Sequence, residues 1–375
     1  MPSALCKPAA NLIIAVLVFS VSAASAPAQT LHAGRPAAIL KGEQAQVIVD
    51  LAGGSIVNFQ LNDQGLNPLV WANAGPEDEA RPMSHFICLD RWGAPSRAEL
   101  KQGMVFHGEA TRMQWKLLKE PKIEGDSIAS EMSAMLPMAG LEVKRTIELA
   151  ARGSWFKVTE EVTNRNQLGR IFNFVQHPTI GPPFLDETVV VDSNARRGLM
   201  QSSPLPNPEE PAVYWPQALK DGQPVNLRHL HGDPLPNVVS FTIDEEYGWV
   251  TAANAARGLL IGYIWRVSEY PWLNIWRHVQ DGKPLARGLE FGTTGLHQPF
   301  GILVKKGRIF GRPIYAHIDT GEMVTKSYVA FLIKIPNDYR GVGRVAYNNG
   351  ALVVAERDAP EARTLTLNVG ALFPD

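Results

Sequence analysis

Apolar and polar residues alternate with period two over much of the chain, and turn residues break the alternation at short intervals. Gln46–Leu51 reads as a strand, Gly53-Gly54 turns it, and Ser55–Leu61 continues it before the turn Asn62-Asp63-Gln64-Gly65. Leu141, Val143, Ile147 and Leu149 alternate in the same way. After Ala151-Arg152-Gly153, so do Phe156, Val158, Glu160 and Val162. Tyr247–Ala252, Leu259–Trp265, Tyr328–Ile335 and Thr364–Val369 read as further strands. Short strands separated by Gly, Asn and Asp predict an all-β, antiparallel architecture. Helical signals are few: Ser96-Arg97-Ala98-Glu99 has the form of a capping box opening one short helix.

Two segments stand outside this pattern. Lys7 precedes an apolar stretch, Leu12 to Val21, that is too short for a bilayer crossing of about twenty residues. Ala26-Pro27-Ala28 then offers a cleavage site, with Ala24-Ser25-Ala26 as an alternative. Residues 1–28 read as a secretory signal peptide, which predicts a periplasmic or secreted protein without a membrane anchor; a retained N-terminal anchor is the alternative. Around 200–237, rich in Pro and polar residues, strand signals on either side keep the same character. One domain over 29–375 with a loop insertion is therefore expected, with a domain boundary there as the alternative.

Composition narrows the function. Among 375 residues, 36 Lys and Arg stand against 37 Asp and Glu, a net charge of −1 with no run of about five or six like charges, which argues against nucleic-acid partners. Removing the leader leaves Cys88 alone, so no internal disulfide is expected, and Cys88 within His85–Leu89 reads as a small buried hydrophobe. Phosphate loops, HExxH, CxxC and Gly-x-Ser-x-Gly are all absent. His229-Leu230-His231 would place two rings on one face of a strand. No acid stands at a familiar spacing, however, and an exposed polar loop is expected rather than a metal site.

Four segments carry candidate chemistry. His107-Gly108, within Gly103–Glu109 and ahead of Trp115, places a His where a Gly could admit a ligand; a plain turn His is the alternative. Val162-Thr163-Asn164 is followed by a strand ending in His177-Pro178, and a His at a strand end is placed to face a cleft. Alternation in Pro271–His278 puts Trp272, Asn274 and Trp276 on one face, beside Arg277; this is a surface for sugar rings or else core packing. Glu290 lies in the apolar strand Arg287–Thr294, where burial would raise its pKa and suit it to act as a base; pairing with Arg287 or Arg277 is the alternative.

In this order the segments resemble the aldose 1-epimerase (galactose mutarotase-like) superfamily. The pieces are Gly53-Gly54-Ser55-Ile56 with Asn58-Phe59, Phe106-His107-Gly108 with Trp115, Val162-Thr163-Asn164 with His177-Pro178, and Leu289-Glu290 with Thr293. The resemblance implies a large antiparallel β-sandwich that binds sugar, needs no cofactor or metal, and interconverts anomers by acid/base ring opening. It implies Glu290 as base, His177 as acid and His107 as a sugar ligand. Where those enzymes carry an Asn-Arg-Ile-like segment, Arg91 is the nearest basic residue here. Trp272, Asn274, Trp276 and Arg277 complete the expected contacts with a mono- or oligosaccharide. A non-catalytic carbohydrate-binding protein is the alternative. So is a glycan hydrolase or lyase, which would need Asp90 or Asp281 near Glu290.

Overall fold

The computed structural model describes residues 30–76, 79–229, 237–359, 363–371 and 373. The leader, and Leu230 and His231 of the histidine pair, lie outside the described residues. Two large antiparallel sheets, of twelve and eight strands, form the body. The period-two pattern explains their packing. In Leu141–Ala150 the residues Leu141, Val143, Ile147 and Leu149 are buried, and they alternate with half-buried Glu142, Lys144, Thr146 and Glu148. Their inward faces meet the other sheet in one apolar layer. Phe59, Phe174, Leu289 and Phe291 of the twelve-stranded sheet join Ile147, Phe156, Val158 and Tyr328 of the eight-stranded one. The molecule is thus an all-β sandwich.

The expected strands form, with ends shifted by a few residues: Ala45–Asp50, Ile56–Leu61, Trp155–Asn164, Met323–Lys334 and Thr364–Asn368. Ser96 caps a helix over Arg97–Lys101 with the reciprocal Glu99 bond of a capping box. A second short helix, Phe300–Lys306, begins after Pro299 without a side-chain cap. The 200–237 segment is not a plain loop. It forms strands at Val213–Tyr214, Gln217–Lys220 and Gln223–Asn226, and sends Val213, Ala218 and Leu227 into the main core. A three-stranded sheet of Val342–Asn348, Ala351–Glu356 and Thr364–Asn368 packs Val345 and Leu352 against Leu260 and Phe331 on the outside of the eight-stranded sheet. No helix among the described residues is long and apolar enough to cross a membrane.

Five neighbouring strands of the larger sheet position the site, in the order His85–Asp90, Arg170–Ile180, Lys283–Gly292, Trp272–Gln280 and Asn237–Thr242. The strand expected to end at His177 runs on to Ile180. Pro178 does not stop it, because it keeps its place opposite His85 on one side. On the other side the ladder to Lys283–Gly292 skips the two positions 177 and 178 and resumes at Thr179, which spares Pro178 a bond it cannot donate.

Candidate active site

Strand register builds the floor of the site. Val175 lies opposite Gly292 and Thr179 opposite Gly288, which brackets His177 against Glu290. Phe86 faces His177 from one side, and Asn274 faces Glu290 from the other. Directly opposed residues share a face with Cβ atoms about 5 Å apart. One row across the sheet therefore reads Phe86, His177, Glu290, Asn274. The His177 ring stacks on Phe86 with centroids 4.1 Å apart, and its Nε2 stands 3.1 Å from Glu290 Oε1. The second carboxylate oxygen accepts a 2.7 Å bond from Trp92 Nε1. Gly288 leaves room for this group: a Cβ there would come within 2.8 Å of Glu290 Oε1.

Both partners are held toward their uncharged forms. Burial pushes Glu290 well above the ordinary carboxylate range, against the pull of the Trp92 bond. Burial lowers His177 to about 3. The pair then holds one proton between Oε1 and Nε2, while His177 Nδ1 is engaged by Thr179 Oγ1 at 2.9 Å. The carboxyl and the imidazole are direct neighbours, not groups facing each other across a gap.

His107 forms the next part of the wall, 5.6 Å from His177 between ring centroids. It sits in the left-handed region (φ 67°) and is locked to Gly93 twice. Its N–H donates to Gly93 O, and Gly93 N–H donates to its Nδ1, both at 3.0 Å. A ring nitrogen that accepts from a backbone amide carries no proton, so the neutral imidazole has its hydrogen on Nε2. Burial and its histidine neighbours hold it well below its usual pKa, in this neutral form. Gly108 does not make space for a ligand, as its place beside His107 suggested. A Cβ there would strike Leu89 O at 2.2 Å.

These three residues line one cavity of ≈ 330 Å³ together with Trp71, Phe86, Trp92, Phe106, Trp276 and His297, with Asn73 and Arg112 among the other lining residues. That volume is near the lower end for ligand clefts, about 300–1,000 Å³, and suits a single ring better than a chain. The aromatic members are the right kind of wall for the C–H faces of a sugar.

Several expected contacts lie elsewhere. Trp276 lines the cavity, but Trp272, on the same face, is buried in a separate cluster with Leu199, Leu296 and Leu303 and donates to Pro313 O at 2.7 Å. Asn274 is buried beside Glu290 and donates to Thr294 O; it does not line the cavity. Arg277 pairs across the ladder with Arg287, and both occupy the opposite face of their strands, buried inside the sandwich. Glu290 is therefore paired with neither arginine. Arg91 is held by Asp90 and Glu99 and stacks over Phe300. The residue of that segment that lines the cavity is Trp92. Asn164 ties down its own turn through Leu168 O and Asn166 N. Asp90 is held by Arg91 and Arg170. Neither Asp90 nor Asp281 lines the cavity, in which Glu290 is the only carboxylate among the described lining residues. Cys88 is fully buried beneath the site. No cluster of His, Cys, Asp or Glu that could hold a metal occurs among the described residues.

No protein-family model matches this sequence, and no curated protein does. Solved structures do match. A galactose mutarotase-like protein from Clostridium acetobutylicum is 14% identical with a TM-score of 0.59, over 79% of this chain and 95% of that one. A galactose mutarotase related enzyme from Lactobacillus acidophilus is 12% identical with a TM-score of 0.56, over 80% and 98%. A Synechocystis protein is 15% identical with a TM-score of 0.58, over 80% and 96%. At such identities the likeness speaks of the fold alone: this chain has the galactose mutarotase-like fold.

Proposed function

We propose that this protein interconverts the anomers of a free sugar by acid/base ring opening, as an exported, aldose 1-epimerase-like isomerase. The observation that carries the reading is the 3.1 Å contact between His177 Nε2 and Glu290 Oε1 on the floor of an aromatic cavity.

The chemistry needs one proton donor and one proton acceptor, and the pair supplies both from its single shared proton. With a cyclic sugar bound, that proton resides on His177, leaving Glu290 as carboxylate. Glu290 takes the proton of the anomeric hydroxyl and a C1=O bond forms. The C1–O5 bond breaks with its electrons on O5, which takes the proton from His177. The enzyme is then back to protonated Glu290 and neutral His177, the forms that burial favours, with an open aldehyde in the pocket. Rotation about C1–C2 presents the other carbonyl face. O5 attacks it, His177 takes the O5 proton, and Glu290 returns one to the carbonyl oxygen. Each group contributes about 10²- to 10⁴-fold. His107 holds a hydroxyl or the ring oxygen through Nε2–H throughout. Trp71, Phe86 and Trp276 cover the sugar's apolar faces.

The test is polarimetry of fresh α-glucose, α-galactose and a wider sugar panel. Anomerisation faster than buffer, abolished by Glu290→Gln, supports the reading; a rate equal to buffer for every sugar removes it. A binding-only role is favoured by the same contact if the pair stays closed on itself. It predicts calorimetric sugar binding without turnover. Hydrolysis with two carboxylates finds no support, because Glu290 has no acidic partner among the described lining residues.

A further inference from the structure

We propose that His297 is the specificity-determining residue of this pocket, holding sugar hydroxyls on the wall it forms with Trp92, Phe106 and His107. The inference rests on the reading above and concerns a residue on which that mechanism makes no demand.

His297 follows the Glu290 strand by a short turn, Thr293 to Leu296, and lines the cavity. Its backbone is fixed from the side. His297 N–H donates to Gln201 Oε1 at 2.9 Å, while Gln201 Nε2 donates to Ser240 Oγ at 2.7 Å and to Gly295 O at 2.8 Å. Its ring is fixed by packing. It meets Trp92 edge-to-face at 4.6 Å and lies 5.4 Å from Phe106 and 5.5 Å from His107. Gly93 makes this placement possible, because a Cβ there would come within 2.9 Å of His297 Cδ2 and Nε2. Two residues, Gly93 and Trp92, thus serve the site twice: Gly93 orients His107 and admits His297, and Trp92 binds Glu290 and supports His297.

The three pocket histidines differ in what their nitrogens do. His107 Nδ1 is taken by Gly93, and both nitrogens of His177 are taken, by Thr179 and Glu290. The His297 ring makes no hydrogen bond with another described residue. Burial lowers it to about 4, so at neutral pH it offers one donor and one acceptor. His107 can only donate. A hydroxyl both donates and accepts, and its direction is what distinguishes one hexose epimer from another. A rigid neutral imidazole with neither nitrogen bonded to another described residue responds to that direction, because a misplaced hydroxyl leaves a buried polar atom unmatched.

Mutarotation of a set of hexose epimers by wild type, His297→Asn and His297→Ala tests this. His297→Ala is expected to raise KM about tenfold for the preferred sugar, the size of one lost neutral hydrogen bond, with kcat changed by no more than a few fold. It should also flatten the ratio of kcat/KM between epimers, and Asn should restore part of that ratio. Unchanged KM and epimer ratio in either folded variant overturns the assignment, and so does a collapse of kcat at constant KM. If the wild type binds sugars without turning them over, the enzymatic reading fails alone. Calorimetric affinities across the same panel then decide the role of His297 by the same ratio. A wild type that neither binds nor turns over any sugar overturns both.

Discussion

Trp92 Nε1 donates a 2.7 Å hydrogen bond to Glu290 Oε2, the oxygen that His177 does not touch. The two oxygens of one buried carboxylate thereby have different jobs. One is held by a donor that keeps its proton, and the other shares a proton with an imidazole. The indole opposes the upward push of burial on Glu290 and so tunes how readily the pair yields a carboxylate.

Trp92→Phe tests that tuning. The phenyl ring keeps the packing against His297 and loses the donor. Glu290 should rise further, so the alkaline limb of the pH–rate profile moves to higher pH, and kcat near neutrality falls about tenfold as the carboxylate form becomes harder to reach. Polarimetry across a pH series, corrected for buffer, reads both effects.

Glu290→Gln should lower anomerisation by at least about 10²-fold and also make the protein more stable. A group whose folded pKa is raised contributes stability that is full below its unfolded value, 4.5 for Glu, and is lost as pH rises toward the folded value. At pH 7 the wild type carries that loss and the amide does not. Its melting temperature should exceed wild type by about 2–4 °C per kcal/mol recovered, and the gap should close as pH falls toward 4.5. Calorimetric scans at pH 7 and pH 4.5 compare the two; a gap that widens on acidification would contradict the assignment.

His297 has the opposite sign. Its folded pKa is depressed from 6.5 to about 4. The unfolded chain therefore binds a proton in that window that the native protein refuses. Stability should fall as pH drops from 6.5 to 4, by up to ~1.4 kcal/mol per pH unit from this residue. Urea unfolding of wild type and His297→Asn over this range should show a shallower dependence in the variant. Parallel curves would show that burial does not hold the ring neutral.

Gly93→Ala should damage the site through both of its histidines. Its φ of +99° already disfavours a side chain, and the new Cβ would press on the His297 ring. A stability loss of at least about 1–2 kcal/mol is expected from the backbone alone, accompanied by weaker sugar binding. Thermal unfolding and calorimetry measure the two consequences separately.

Trp272 and Trp276 share a face of one strand and should respond differently. Trp276→Ala removes part of the cavity wall and should weaken sugar binding about tenfold or more, whereas Trp272→Phe should leave binding unchanged. The latter breaks the bond to Pro313 O and should cost about 1 kcal/mol of stability.

Alternation along the chain was enough to read an antiparallel all-β body, because a strand with one face in the core and one in water must repeat every two residues. Leu141–Ala150 and Trp155–Asn164 show that pattern plainly. The site strands do not, since Arg170–Ile180 and Lys283–Gly292 are buried on both faces over most of their length, one against the sandwich and one beneath the pocket. His107, His177 and Glu290 could still be picked out as polar groups in unusual places, and Trp276 as one of a same-face pair. Alternation assigned Trp272, Asn274 and Trp276 to a common face correctly. It could not tell which of them faces open space, because that depends on what the Thr294–Ile314 region lays over the strand.

What the sequence by itself determined is the local geometry: strands, turns, one capped helix, and the sidedness of each residue. Only the tertiary structure decided the partners. The register of Val175 with Gly292 and Thr179 with Gly288 is what brings His177 onto Glu290; a shift of one residue would have turned one of them to the other face. Loops with no periodicity of their own delivered Trp71, Trp92 and His297 to the same cavity. Period two fixes the direction in which a side chain points along its own strand, and it carries no information about which distant strand or loop will stand opposite.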